Sequence, residues 1–560
     1  MTSASAAKAP RKAQYRYGYV RSPDQDARTT VRHPVVVVGA GPVGLTVSLD
    51  LAQRGLPVVL LDDADRIGEG SRGICWAKRT LEIWDRLGVA APMVEKGVTW
   101  KLGKVFLGDD PVYAFDLLPE EGHKMPAFIN LQQYFVEHVL VDRVCDVEGI
   151  DLRWKNKVVG ADRRDDGVRL TVETPEGEYQ LDADWVIAAD GARSALRDLL
   201  GLGFPGLTFE EKFLIADVKM SADFPTERRF WFDPSFHSGQ SALMHRQPDN
   251  VWRIDLQLGP DADVEAEQRP EQVTARLKKM LGERSFDLEW VSIYRFNCRR
   301  LERFVHGRVI FVGDSAYQVS PFGARGANSG VQDAENLAWK LAAVLQGRGG
   351  DALLDSYSSE RELAADENIG HSTRATDFIT PKSDISRVFR DATLQLARDH
   401  PFARTLVNSG RLSTASTLHA SPLNTPDADA FAGPMVPGAP ALDAPLQAEG
   451  ADGWLLRHLP AGSFSALVFD GEHAAPTVRA LRQAAEGVAP LRLLLVAARD
   501  DARVPGANTV VDAAGLIARR YDGAPGTAYL LRPDQHVCAR WRRVSPEAAG
   551  TALRRALALS

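Results

Sequence analysis

The 560-residue sequence has only four cysteines, Cys75, Cys145, Cys298 and Cys538, far apart and with no CxxC pair among them. Such spacing argues against a structural zinc site, so no metal is expected, and it suits a reducing cytoplasm. Positive charge is not in excess. Lys and Arg number 67 against 74 Asp and Glu, a net charge of −7, which gives no reason to expect nucleic acid as a partner. No apolar run approaches the roughly 20 residues that span a bilayer. The first 33 residues lack the apolar core of a secretory signal. They are basic (Lys8, Arg11, Lys12, Arg16, Arg21) and are expected to form a loose tail whose Tyr15, Tyr17 and Tyr19 pack on the body. No internal repeat is present.

What is there begins at Val35–Val38, a short run that reads as a fully buried parallel strand. GAGPVGLTVSLDLAQRG follows as a turn and a helix, and 57–61 is the next strand, ending at Asp62. This is a βαβ unit of dinucleotide-binding type. Gly39 permits the tight turn, Gly41 lets the backbone approach a pyrophosphate beside Pro42, and Gly44 allows close helix–strand packing. The helix N-terminus supplies free N–H groups and partial positive charge. Asp62 is placed to accept from a ribose hydroxyl, with Asp63 as the alternative one residue on. Alone, the motif fits NAD or FAD.

Two later segments narrow that choice. Asp190-Gly191 and Gly313-Asp314 each end a buried strand, and Pro321-Phe322-Gly323 with Gly326-Ala327-Asn328 leads into a long helix over 326–347. Between these, 151–159, 166–173 and 178–182 read as a small antiparallel meander, and 185–201 as a separate strand and helix. Residues 208–300 are mostly β with one helix near 270–282. A helix and linker follow, and from about 450 strands alternate with Ala-rich helices.

Taken together, GAGPVG with LLDD, DGARSALR and GDSAYQVSPFGARGANSGVQDAENLAWKL resemble the single-component FAD-dependent aromatic hydroxylases. Similarity is greatest to the branch containing phenol hydroxylase and 3-(3-hydroxyphenyl)propionate hydroxylase. The resemblance covers about 34–380 strongly and 450–560 weakly. It implies an α/β fold with a Rossmann-like FAD-binding domain of glutathione-reductase type (34–207 and 301–380). It also implies a β-sheet substrate domain (208–300) and, beyond a helix and linker (381–449), a C-terminal thioredoxin-like domain (450–560) without redox chemistry, which packs or dimerises. The expected enzyme is a cytoplasmic homodimer. It uses FAD, NADPH or NADH, and O₂ to hydroxylate a phenolic ring through a flavin C4a-hydroperoxide.

Residue by residue, the resemblance implies that Gly39, Gly41, Gly44 and Asp62 hold the ADP half. Arg72, Gln133 (four before Glu137) and Asp190 contact cofactor. Asp314 holds the ribityl chain, and Pro321, Gly326, Ala327 and Asn328 surround the isoalloxazine. Tyr317, counted with Asp255 and Arg253 among the expected catalytic groups, stands where relatives carry His, and a phenol of pKa near 10 is a poor proton carrier at neutral pH. On the strand VWRIDLQL, Arg253 and Asp255 point the same way by period two. Asp255 is the expected proton acceptor, with Arg253 tuning it or binding an acidic substituent. His245 and Arg246 lie nearby. A flavin halogenase is the alternative enzyme, but its Trp-x-Trp-x-Ile-Pro box is absent. A non-catalytic flavin-binding sensor is the other alternative.

Overall fold

The strand that carries the four valines, Val31–Val38, is hydrogen-bonded in parallel on both sides, to Gly177–Ala188 and to Val58–Asp62. Val35–Val38 are buried on both faces, which is why an unbroken apolar run suits them better than alternation. The computed structural model describes residues 15–68, 72–259, 261–407 and 412–559. The full order of the first sheet runs from Val305–His306 through Val309–Phe311, Gly177–Ala188, Val31–Val38 and Val58–Asp62 to Ile150–Trp154. The helix Pro42–Gln53 packs between this sheet and the helix Gly326–Leu345 and is buried continuously from Gly44 to Leu51. Close approach at that crossing needs a residue without a side chain. A Cβ on Gly330 would lie 2.7 Å from Val43 Cγ2.

Three expectations change. The first strand starts at Val31, inside the expected tail, because Val31–His33 pair with Leu181–Ala183 and only Pro34, which has no N–H, is left out of the register. The expected separate strands at 178–182 and 185–188 are one twelve-residue strand. It pairs antiparallel with Gly167–Thr174 at one end and parallel with Val31–Val38 at the other. The segment at 151–159 divides. Ile150–Trp154 joins the parallel sheet, and only Lys157–Arg164 begins the meander. In the tail, Tyr17 stacks on Trp154 at 4.6 Å and Tyr15 meets His138 at 4.3 Å. Lys8, Arg11 and Lys12 lie outside the described residues.

The second sheet has eight strands in the order Tyr317–Gln318, Asp287–Arg300, Gly206–Lys219, Val251–Leu258, Ser241–Arg246, Arg228–Phe232, Leu102–Leu107 and Asp110–Asp116. Residues 102–116, expected with the first unit, therefore belong to this sheet, since Leu102–Leu107 runs parallel to Arg228–Phe232. One face (Leu214, Ala216, Val218, Trp252, Ile254, Leu256) buries against the helix Pro270–Leu281. The other face looks toward the first unit.

From 445 onward a seven-stranded sheet has parallel neighbours Phe464–Phe469, Leu491–Ala497 and Asn508–Val511 and an antiparallel pair, Ala528–Leu531 and Val537–Trp541. Both faces are apolar. Ala466, Val468 and Leu495 meet the helices Ala474–Ala485 and Pro546–Ala556, while Leu467, Phe469 and Leu494 meet residues 435–459 and Tyr521. Its turn 532–536 enters the first unit. There Arg532 pairs with Glu360 at 2.6 Å and Lys340 with Glu360 at 2.7 Å, all three side chains without accessible surface. Gln535 accepts from Arg79, which also pairs with Glu335 at 2.8 Å. Cys538 and Trp541 fill this core. No helix among the described residues is long and apolar enough to cross a membrane.

Candidate active site

Gly39 takes φ +106°, where an L side chain is strained, and a Cβ there would sit 2.4 Å from the carbonyl of Ala189. A Cβ on Gly44 would sit 1.9 Å from the carbonyl of Gly39, whereas one on Gly41 would meet open space. The loop is thus packed on two glycines and open at the third. Pro42 is the first helical residue and no side chain caps the helix, so its N-terminal dipole faces that space. Asp62 faces the loop, its Oδ2 accepting from Ala40 N at 2.6 Å and its Oδ1 from Ala64 N at 2.9 Å. Burial raises its pKa. Each oxygen keeps a lone pair for a hydroxyl. Asp63 points to an open surface hollow beside Lys155 and Lys157.

The other strand ends meet the same cleft. Asp190 Oδ2 accepts from Leu196 N at 3.0 Å, while its buried Oδ1 has no protein partner. Asp314 keeps accessible surface though protein surrounds it, and burial pushes its carboxyl up to about 6 against the pull of Arg72. Beyond it Pro321 closes a turn with Ala324 N at 3.0 Å, and Gly326 and Ala327 open the helix Gly326–Leu345 without a side-chain cap. Phe322 reaches across to the second sheet, edge-on to Phe213 at 5.0 Å.

Asn328 does not face the cleft with its side chain. Its Oδ1 accepts from Ala77 N and Thr80 Oγ1, and its Nδ2 donates to Cys75 O and Ala324 O. Every amide valence is used to fix the helix start, so only its backbone is left for a ligand. Gln133 is likewise engaged. It accepts from Gly73 N at 3.0 Å and donates to Glu137 Oε1 at 2.7 Å, and Glu137 Oε2 takes Gly68 N at 2.6 Å. This Gln–Glu pair holds the segment that presents Arg72, whose charge acts on Asp314 and Tyr294.

Tyr317, expected among the catalytic groups, lies in the core. Its hydroxyl donates to Asp333 Oδ2 at 3.0 Å, its ring stacks on Phe304 at 5.7 Å, and burial lifts its pKa well above 10. Asp333 also accepts from Gly313 N at 3.0 Å and from Arg361 at 2.5 Å. Through Asp333, Tyr317 is tied to the loop that carries Asp314.

The second sheet closes the cleft. Its antiparallel register sets His245, Arg253 and Asp217 in one cross-strand row and Leu243, Asp255 and Ile215 in the next. Arg253 is locked to Asp217 by two bonds of 2.8 and 3.0 Å and donates to Arg72 O at 3.4 Å. That side of its fork is thus matched by a buried carboxylate. Asp255 has no such partner. Its buried Oδ1 accepts nothing, and burial pushes the carboxyl up to about 6, outweighing Arg253. Phe213, Phe232, Phe296 and Phe322 form a buried aromatic cluster beside this face of the sheet.

Residues 32–372 match the family model described as FAD binding domain. The chain belongs to that family and is an FAD-dependent aromatic monooxygenase. A flavin-dependent monooxygenase of Mycobacteroides abscessus is 34% identical over 60% of this chain and 73% of its own. The 3-(3-hydroxy-phenyl)propionate/3-hydroxycinnamic acid hydroxylase of Mycolicibacterium smegmatis is 25% identical over 90% of this chain and 89% of its own. Among solved structures, the flavin-dependent monooxygenase PieE in complex with FAD and substrate shares the fold, with TM-score 0.80 at 23% identity over 94% of this chain and 99% of its own.

The residues of this monooxygenase fit FAD. Two uncapped helix N-termini face one cleft, Gly41 leaves its backbone open, and the buried Oδ1 of Asp190 lacks a donor. Sequence reasoning missed Asp217, Asp333 and Arg228. For Asp333 there was a signal, since Asp333, Glu335 and Asn336 are charged or polar residues in a helix buried without a break from Asn328 to Ala343.

Proposed function

We propose that this enzyme hydroxylates a phenolic ring held between the 313–328 segment and the second sheet, with Asp255 accepting the phenol's proton. The supporting observation is the Asp255 carboxyl, whose buried Oδ1 has no partner among the described residues, on the face of the second sheet that looks toward the first unit. Bound FAD, once reduced by NADH or NADPH, supplies the activated oxygen. Gly39, Gly41, Pro42, Gly44 and Asp62 hold the ADP half at the helix N-terminus. Asp190 and Asp314 accept from the linking hydroxyls. The backbone of Gly326, Ala327 and Asn328, beside Pro321, faces the ring system with positive helix dipole.

Asp255 is ionised above about pH 6 and can then draw the proton from a phenol, raising electron density in the ring. Phe213, Phe322 and their neighbours exclude water from the reacting face. Gln133 and Glu137 orient the Arg72 segment rather than touching cofactor themselves. Four free thiols suit a cytoplasmic setting.

A panel of phenols tests the reading through NAD(P)H oxidation and product analysis. Asp255→Asn is expected to lower hydroxylation roughly 100-fold while flavin reduction by NAD(P)H keeps its rate. Unchanged hydroxylation across pH in that variant would remove Asp255 from the mechanism.

A further inference from the structure

Arg228 opens the strand Arg228–Phe232, and extending that strand's register by one pair brings it opposite His245, in the row that continues to Arg253 and Asp217. It keeps accessible surface although protein encloses it, and no ion pair or hydrogen bond engages it among the described residues. Its charge reaches Cys75 and Asp255. Neither neutralises it. Burial keeps the Cys75 thiol protonated, pushed up to about 11, and Asp255 stands two strands away, about 10 Å between strand axes. His245 is held neutral, its pKa far below 6.5 through burial beside Arg228 and Arg253, and its Nδ1 also lacks a partner. Arg253, by contrast, is matched by Asp217.

Among the described residues, this sheet face therefore presents a cation and a carboxyl that no hydrogen bond or ion pair engages, two strands apart. A half-buried guanidinium without a counter-group gains from a ligand atom that matches it. We infer that Arg228 binds a second oxygen of the substrate, a carboxylate or carbonyl on or near the ring. Asp255 takes the phenolic hydroxyl at the other end. Arg228 is in this way the specificity-determining residue of the reaction. The inference rests on the proposed binding of a phenol at Asp255. It adds that a bare phenol fills only half the polar frame.

Binding is read without turnover, from the change in flavin absorbance on titrating the oxidised holoenzyme with phenol, 3-hydroxybenzoate and 3-hydroxyacetophenone. The wild-type enzyme is expected to bind one or both oxygen-bearing probes roughly 10- to 100-fold more tightly than phenol. The carboxylate and acyl arms tell which oxygen is used. Arg228→Gln is expected to erase that preference while leaving the dissociation constant for phenol within about twofold. Arg228→Lys should restore part of it. Equal wild-type affinity for all three probes overturns the inference without any variant, and so does an Arg228→Gln loss that is equal for phenol and for the others. Failure of the Asp255 reading looks different. Asp255→Asn then leaves hydroxylation unchanged while the second-oxygen preference at Arg228 persists.

Discussion

Tyr317 gives its only hydroxyl proton to Asp333, which also receives Gly313 N and the Arg361 guanidinium. Tyr317→Phe removes one hydrogen bond to a buried carboxylate and should lower stability by about 1.5–3 kcal/mol, seen as a lower Tm. Flavin reduction by NAD(P)H should stay near the wild-type rate, since the ring still stacks on Phe304. Asp255 gives the pH signature. Its carboxyl is pushed up to about 6, so hydroxylation should fall as pH drops through that value, and the fall should vanish in Asp255→Asn. Stability runs the other way. A carboxyl with a raised folded-state pKa stabilises fully below its ordinary range near 4, and that contribution is lost as pH rises through about 6. Asp255→Asn should thus melt higher than wild type at pH 8 while nearly inactive.

At the scale of the element, the turn between Val31–Val38 and Pro42–Gln53 packs so closely on the helix start that Gly44 tolerates no side chain. Gly44→Ala puts a Cβ into the Gly39 carbonyl, and the purified protein should be colourless or lose FAD on dialysis, measured by absorbance at the flavin band. This unit was legible in the sequence because its information is local: a buried strand, a glycine turn and a helix follow one another within about 30 residues. Pairings over long separations were not. The hairpin at 102–116 alternates as a strand should, yet its partner is Arg228–Phe232, and nothing in either stretch names the other. The pairing of Arg253 was hidden in the same way, because its partner, Asp217, lies 36 residues earlier on the neighbouring strand. Gly177–Ala188 looked like two strands because Asp182 and Asp184 break the apolar run. Both side chains point to arginines at the surface, Arg169 and Arg32, and leave the backbone ladder intact.

Across the whole molecule, the unit beyond residue 445 is tied to the cofactor-binding unit by buried charge. Glu360 serves Arg532 and Lys340 together, and those cations hold its carboxyl far below the usual range. Glu360→Gln leaves buried Lys340 without its counter-charge and Arg532 with Asp534 alone, and should cost about 3–5 kcal/mol, measured by thermal melting. The two units should then melt separately where the wild type melts once. The 28-residue helix Ala352–Ile379 that carries Glu360 also brings Arg361 to Asp333, which accepts from Gly313 N, so the C-terminal turn is three contacts from the Asp314 loop.

The second sheet takes strands from three stretches of chain, at 102–116, at 206–300 and at 317–318, the last only three residues beyond Asp314. No single cut releases it. An exchange of 206–300 between relatives would sever the ladder at both ends, at Arg228–Phe232 with Leu102–Leu107 and at Asp287–Arg300 with Tyr317–Gln318. New substrate preferences are therefore reached more readily by point replacement on the cleft face than by swapping a cassette, because the wall of the cleft and the seat of the cofactor are woven from the same thread.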